Sequence, residues 1–253
     1  MSALQLSSEP TFSQDHLLCG RVTLRQPLKG YRVAIDPVFL AAAIQPLDGQ
    51  TVLDVGAGVG AASFCLASRV KGCRVIGLEV QRDYVRLAAQ NVELNQMQGR
   101  VEVLFGDLLR APPRLAAGTF DHVMSNPPYL EEYRANASPT AEKNLANTET
   151  DADLHSWARF CLMMVKPKGT LTFIHRADRL DHILGFLGGK LGDITVYPLW
   201  PGQGKAAKRV IVRGVRNSNA PLTLHPGMIL HEKDGRFSSM AEEILRDGKG
   251  IEW

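Results

Sequence analysis

From Thr51 onward two kinds of segment alternate: the strand-like "TVLDVG", "CRVIGLE", "VEVLFGD" and "FDHVMSN", with helical patterns from about Val59 to Arg69 and from about Gln81 to Asn95. Short β-branched runs separated by helix-length amphipathic stretches return side by side through crossovers, which specifies an α/β fold with a parallel, doubly wound sheet. A helix from about Asp153 to Val165, the strand "GTLTFIH" and a helix from Asp178 to about Leu191 continue the series, with Pro167-Lys168-Gly169 placed to stop the first helix. The end departs from it. Only the glycine-containing turn "PGQGKAA" separates "ITVYPLW" from "KRVIVRGV", so these strands form an antiparallel pair.

Shorter extensions flank this unit. Residues 1–16 read as loosely ordered, "LLCGRVTLRQP" as a strand or hairpin arm, and "IDPVFLAAAI" as a helix with Asp36 as N-cap and Pro37 in the first helical position. After "KRVIVRGV" come another strand, "LTLHPGMILHE", and a helix, "SSMAEEILRDG", with Ser239 and Glu242 as a capping box and Gly248 as its stop. The expected division is an N-terminal extension over 1–48, the main domain over 49–216 and a C-terminal extension over 217–253 packed on it.

Composition excludes several classes of function. Apolar runs such as "VFLAAAI" are too short to span a bilayer, and "MSALQLSSEP" has neither a basic start nor an apolar signal core, so a cytoplasmic protein without a membrane partner is expected. Cys19, Cys65, Cys73 and Cys161 form no C-x-x-C pair; they read as buried small apolar residues, and no metal is expected. The net charge is only +3, but Ile194 to His231 contains no Asp or Glu while Lys205, Lys208, Arg209, Arg213 and Arg216 fall close together. That run is either a solvated strand face or a surface that meets phosphates.

"VLDVGAGVGAA" sets Gly56, Gly58 and Gly60 between a strand and a helix, with Ala57 among them, so a nucleotide-like ligand can lie against backbone without meeting a Cβ. Gly56, Gly58 and Ala61 also satisfy a relaxed dinucleotide fingerprint, with Glu79, followed by Val80, at the distance expected for gripping ribose hydroxyls. Two further carboxylates favour S-adenosyl-L-methionine over a nicotinamide cofactor. Asp54, at a strand end, can reach the amino end of a methionine moiety, and Asp107, followed by Leu108, can reach an adenine amino group.

Asn126-Pro127-Pro128-Tyr129 closes the next strand, which in the common doubly wound order adjoins the first and faces the cofactor. A sulfonium methyl donor is already activated, so positioning is the main task. An exocyclic amino group is a poor nucleophile because its lone pair is delocalised. The Asn126 Oδ1 and the Pro127 carbonyl supply two acceptors for its N–H groups, proline fixes the frame, and Tyr129 offers a stacking surface worth about 1–3 kcal/mol per base. His122, His155 and His175 read as structural.

"VLDVGAGVG" with "SNPPY" resembles the class I S-adenosylmethionine-dependent methyltransferases that act on amino nitrogens. "GYRVAIDPVFLAAAI" and the tail "KRVIVRGV…LTLHPGMILHEKDGRFSSMAEEIL" resemble the bacterial tRNA adenine-N6 methyltransferases that modify valine tRNA beside its anticodon. The resemblance implies a Rossmann-like, mostly parallel seven-stranded sheet ending in an antiparallel hairpin. It also implies cofactor contacts by Asp54, Gly56, Gly58, Glu79 and Asp107, catalysis by Asn126 through Tyr129, and a cover over the methionine end from Tyr31 to Asp36. The expected acceptor is adenine N6 in RNA, specifically tRNA, gripped by Lys205, Lys208, Arg209 and Arg213, and the expected state is a monomer or weak homodimer. Rival readings are a glutamine methyltransferase of release factors, a guanine-N2 methyltransferase of ribosomal RNA, and a non-catalytic binding module. The insert "EEYRANASPTAEKNLANTETDAD", with Arg134 and Lys143, is the candidate substrate gate.

Overall fold

A computed structural model describes residues 12–29, 32–128 and 154–253. β1 (Phe12–Leu17) and β2 (Val22–Pro27) form an antiparallel hairpin, so order begins inside the stretch expected to be loose. Then follow α1 (Asp36–Ala43), β3 (Thr51–Val55), α2 (Ala61–Arg69), β4 (Arg74–Glu79), α3 (Arg82–Leu94), β5 (Val101–Phe105) and β6 (Phe120–Ser125). The second half contains α4 (Leu154–Met164), β7 (Val165–Arg176), α5 (Leu180–Leu187), β8 (Leu191–Trp200) and β9 (Arg209–Arg216). The tail adds β10 (Thr223–Leu224), β11 (Met228–Ile229) and α6 (Ser239–Leu245).

The main sheet runs β5-β4-β3-β6-β7-β9-β8, with β10 and β11 both paired to β8. Every pairing in it is parallel except those of β9, which is inserted antiparallel between β7 and β8. The strand order reverses between β3 and β6, and ligands of such sheets bind at the carboxyl end of that crevice. The expected seven strands are β3 to β9, and among the described residues "LTLHPGMILHE" adds two short strands, β10 and β11, at the β8 edge because it does not stay one strand. It breaks at Pro226-Gly227, where Gly227 has φ +78 and lies so close to Pro198 that an added Cβ would sit 2.1 Å from its carbonyl oxygen.

Period-2 alternation sorts the strands between two layers. Val52, Met124, Ile174, Ile211 and Tyr197 pack beneath α1, α2, the hairpin and α6, while Leu53, Val55, Val123, Leu171 and Val212 pack beneath α4 and α5. The hairpin is held to α3 by two asparagines one helical turn apart. Asn91 bonds the N–H and C=O of Arg25, and Asn95 those of Thr23, at 2.7–3.0 Å, so a helix face completes the backbone pairing of β2.

Several local expectations change. Ile35, not Asp36, is the N-cap of α1; Asp36 lies in the first turn and pairs with Arg209 of β9 at 2.9 Å. Gly60 caps α2, which therefore begins at Ala61 rather than near Val59. Pro167-Lys168-Gly169 lies inside β7 beside a register shift, with Lys168 at φ +66, instead of ending α4. The helix expected from Asp178 is a short 3-10 turn, Ala177–Arg179, and then α5, whose end at Leu187 leaves Leu191 to open β8. Ser238, one residue before the expected cap, accepts from the Ala241 N–H, while Glu242 pairs with Arg246; Gly248 ends the helix at φ +67. Cys65, Cys73 and Cys161 are buried, but Cys19 is exposed. No helix among the described residues is long and apolar enough to cross a membrane.

Candidate active site

Val55 and Ser125 are register partners at the carboxyl ends of β3 and β6, so Gly56 and Asn126 leave the sheet from neighbouring strands. The loop after β3 is pinned by the Gly56 and Ala57 N–H groups, which both donate to the Leu78 carbonyl at 2.8 and 3.0 Å. Its glycines all have positive φ but serve different ends. A Cβ on Gly60 would lie 2.5 Å from the Phe64 ring, and one on Gly56 would lie 2.6 Å from the Trp157 ring. A Cβ on Gly58 would meet nothing within 4 Å among the described residues, so its face is left open to a ligand.

Around that open face stand the expected carboxylates. Glu79 is 6% exposed and accepts from the Gly58 N–H at 2.9 Å and the Gln81 N–H at 2.8 Å, one bond on each oxygen. Burial nevertheless raises its pKa. Asp54 is 2% exposed and accepts from the Ser63 hydroxyl at 2.7 Å. Burial, with a smaller contribution from Glu79, pushes its pKa up to about 6 against the pull of Ser63. Asp107 accepts from the Leu109 N–H at 2.9 Å in the turn after β5, and Leu108 is half-buried. Val80 is 42% exposed and Phe105 45% exposed, with the Arg82 guanidinium 4.0 Å above the Phe105 ring; apolar surface therefore borders the carboxylates.

At the end of β6 Asn126 is half-buried, Pro127 buried and Pro128 exposed. The Asn126 Oδ1 is buried with no hydrogen-bond partner among the described residues. An unsatisfied buried acceptor costs about 1–3 kcal/mol, and such groups call for an explanation in function. Tyr129, Tyr31 and the 131–153 insert with Arg134 and Lys143 lie outside the described residues.

The basic run does not form one patch. β9 carries Arg209 at the end beside Arg176 and Leu199, next to the catalytic crevice, and Arg216 at the far end beside Leu191. Seven residues of extended chain span about 23 Å. Arg216 donates to the Leu162 and Val165 carbonyls, Arg213 lies 5.4 Å from the Trp253 ring centroid, and Arg209 pairs with Asp36. Lys205 and Lys208, in the β8–β9 turn, are the two exposed members. Sequence reading missed Arg176 and Arg179 at the same rim, which only the β7–β9 pairing brings there.

Ser63, Ser125 and Trp157 were also missed. The Trp157 indole N–H donates to the Ser125 hydroxyl at 2.7 Å, and that hydroxyl donates to the Val55 carbonyl at 2.6 Å. No sequence motif signals this contact. His122 is structural as expected: its nitrogens lie 2.7 Å from the Thr170 hydroxyl and 2.9 Å from the Gln50 side-chain oxygen, and burial depresses its pKa to about 4.

The strand order is that of the class I S-adenosylmethionine-dependent methyltransferase fold. Residues 33–151 match the methyltransferase small domain, and the chain is an N-methyltransferase of that kind. It is similar to the tRNA1(Val) (adenine(37)-N6)-methyltransferase of Glaesserella parasuis, 25% identical over 82% of this chain and 86% of that one. It is also similar to the release factor glutamine methyltransferase of Chlorobaculum tepidum, 27% identical over 62% of this chain and 55% of the other. Among solved structures, a predicted O-methyltransferase from Agrobacterium tumefaciens superimposes with a TM-score of 0.71 at 26% identity, covering 86% of this chain and 98% of that one.

Proposed function

We propose that the protein methylates the exocyclic N6 of adenine in RNA, with tRNA as its acceptor. The observation that carries this reading is the buried Asn126 Oδ1, without a partner among the described residues, at the end of the strand that neighbours the glycine loop. An acceptor-only atom held there is complementary to an N–H donor, and an adenine amino group supplies one. S-adenosylmethionine supplies an electrophilic methyl group when bound, and Gly58, Glu79 and Asp54 have the chemistry to hold its ribose and amino ends. Ala57, Gly60, Val80, Asp107 and Leu108 complete the wall on the adenosine side.

Asn126 and the Pro127 carbonyl orient the amino group by accepting its two N–H bonds, which directs its lone pair along the remaining direction. Tyr129 follows as the stacking surface. Lys205 and Lys208, with Arg176 and Arg179 on the same rim, hold RNA backbone and offset the few kcal/mol needed to unstack the target base. Adenine is favoured over the glutamine amide by the tRNA-modifying relative, which covers more of the chain than the release-factor one.

Incubation with methyl-labelled S-adenosylmethionine and separated tRNA, ribosomal RNA and release-factor fractions tests the proposal. Label recovered as N6-methyladenosine from tRNA is the expected result. Label in N5-methylglutamine alone overturns the RNA reading, and label in N2-methylguanosine overturns the adenine reading.

A further inference from the structure

We infer that Trp157 is a positioning residue for methyl transfer, acting through Ser125 on the Asn126 side of the site and through its ring on Gly56. The inference rests on the role given to Asn126 above. Trp157 lies on α4 and is half-buried, with its N–H and its ring used in two different directions. The N–H donates to the Ser125 hydroxyl, and Ser125 is fully buried. An indole nitrogen can only donate, so the Ser125 oxygen must accept there and its own proton must go to the Val55 carbonyl, as the 2.6 Å distance shows. Neither hydroxyl nor indole has a second arrangement that satisfies all three groups.

The placement of the two ends gives this chain its consequence. Val55 is the residue before Gly56, and Ser125 is the residue before Asn126. The 2.6 Å bond therefore ties the last residue of the cofactor strand to the last residue before the tetrapeptide, and the 2.7 Å bond ties Trp157 of α4 to the same hydroxyl. The ring supplies the third constraint. It fills the space a Gly56 Cβ would occupy, at 2.6 Å, so the first glycine of the loop is shaped to its side chain.

An ordinary core tryptophan would need only some partner for its N–H. Here the partner is the residue beside Asn126, while the adjoining edge of the ring, at Cζ2, supports the backbone on which the cofactor lies. The separation between methyl donor and acceptor nitrogen is set by the separation between these two loops. Reactive geometry requires atoms about 3–3.5 Å apart, and a misplacement of about 1 Å can cost roughly a hundredfold in rate.

The test compares Trp157→Phe, Ser125→Ala, the double variant and Asn126→Ala, using bulk bacterial tRNA as acceptor and calorimetric binding of S-adenosylhomocysteine. Trp157→Phe loses the N–H and part of the ring against Gly56; Ser125→Ala removes only the hydroxyl at the other end of the bond and leaves the ring in place. Each should lower kcat roughly tenfold, while in Ser125→Ala the S-adenosylhomocysteine dissociation constant stays within about twofold. The double variant should be no slower than the worse single variant by more than about threefold, because one chain is cut twice. An unchanged kcat in Trp157→Phe, losses that multiply, or a parallel loss of affinity and kcat in Ser125→Ala would each overturn the positioning role. Should Trp157→Phe fail to fold, Ser125→Ala carries the same comparison. Asn126→Ala separates the two levels: if it is inactive while Trp157→Phe is fully active, only this inference falls, and if it still transfers methyl groups, the Asn126 assignment falls with it.

Discussion

The ends of β3 and β6 are neighbours in the sheet, yet they are left in opposite states. On the cofactor side, Glu79 already receives two backbone N–H groups, Asp54 receives Ser63, and two of the three loop glycines are filled from behind by Trp157 and Phe64. On the proposed acceptor side, the Asn126 oxygen is buried and unpartnered among the described residues. One half is complete before its ligand arrives, while the other lacks the one hydrogen bond that an amino group would add. Preorganisation of this kind favours tight cofactor binding and reserves the gain at Asn126 for the reacting complex.

The sharpest way to break the contrast is Asn126→Ala. Removing a group used only at the reacting centre should lower kcat by about a hundredfold to a thousandfold, by analogy with loss of a single catalytic hydrogen bond. S-adenosylhomocysteine affinity should stay nearly constant in calorimetry. A matching loss of affinity would place Asn126 in the cofactor half and erase the distinction.

The glycines allow the next comparison. Gly56→Ala adds a Cβ against the Trp157 ring at φ +76 and should destabilise the fold by about 2–4 kcal/mol, read as a shift in the denaturant midpoint. Gly58→Ala meets nothing within 4 Å and should cost about 1–2 kcal/mol from its φ of +56 alone. Cofactor affinity should nevertheless fall more in Gly58→Ala than in Gly56→Ala among folded molecules. The reverse order would mean that Gly58 does not face the ligand.

Asp54 brings pH into the same half. Its folded pKa of about 6 lies above the usual carboxylate value, so the folded protein binds this proton more tightly than the unfolded chain. Its contribution to apoprotein stability is fully present below pH 4 and is lost as pH rises through about 6. A cationic amino group held by Asp54 reverses that preference. S-adenosylhomocysteine affinity should therefore rise about tenfold between pH 5 and 7, and Asp54→Asn should flatten the profile. A flat wild-type profile would remove Asp54 from the ammonium site.

How much of this was legible in the sequence depended on range. The glycine loop, its carboxylates and the tetrapeptide are contiguous or follow strand by strand, so periodicity and turn chemistry revealed them. The Asp36–Arg209 pair joins residues 173 apart, and Ser125–Trp157 joins residues 32 apart across the segment after the tetrapeptide. Neither leaves a local signal, because the partner's identity depends on how α1 and α4 settle on the sheet. Asn91 and Asn95 showed a helical spacing, but a helix face that pairs with a strand backbone looks the same in sequence as a solvated one. The basic run reads as either a solvated strand face or a phosphate-binding surface, and contiguity in sequence does not reveal that extended geometry spreads it across the sheet.

That spread yields the last and smallest expected effect. Lys205 and Lys208 are exposed in the β8–β9 turn at the catalytic rim, whereas Arg216 is tied to the Leu162 and Val165 carbonyls at the far end. Each lysine that neutralises a phosphate contributes roughly 0.7 to 0.9 to the slope of log affinity against log salt. Replacing both with glutamine should therefore flatten the tRNA-binding slope by about 1.5 and weaken binding at low salt, with S-adenosylhomocysteine affinity unaltered. Arg216→Gln should instead lower stability, because it strips a donor from the Leu162 carbonyl in the last turn of α4 and the Val165 carbonyl at the start of β7, and should leave the slope unchanged. If the two substitutions change the slope equally, the RNA path crosses the sheet rather than following its carboxyl rim, and the acceptor half of the site extends much further than Asn126 and its frame.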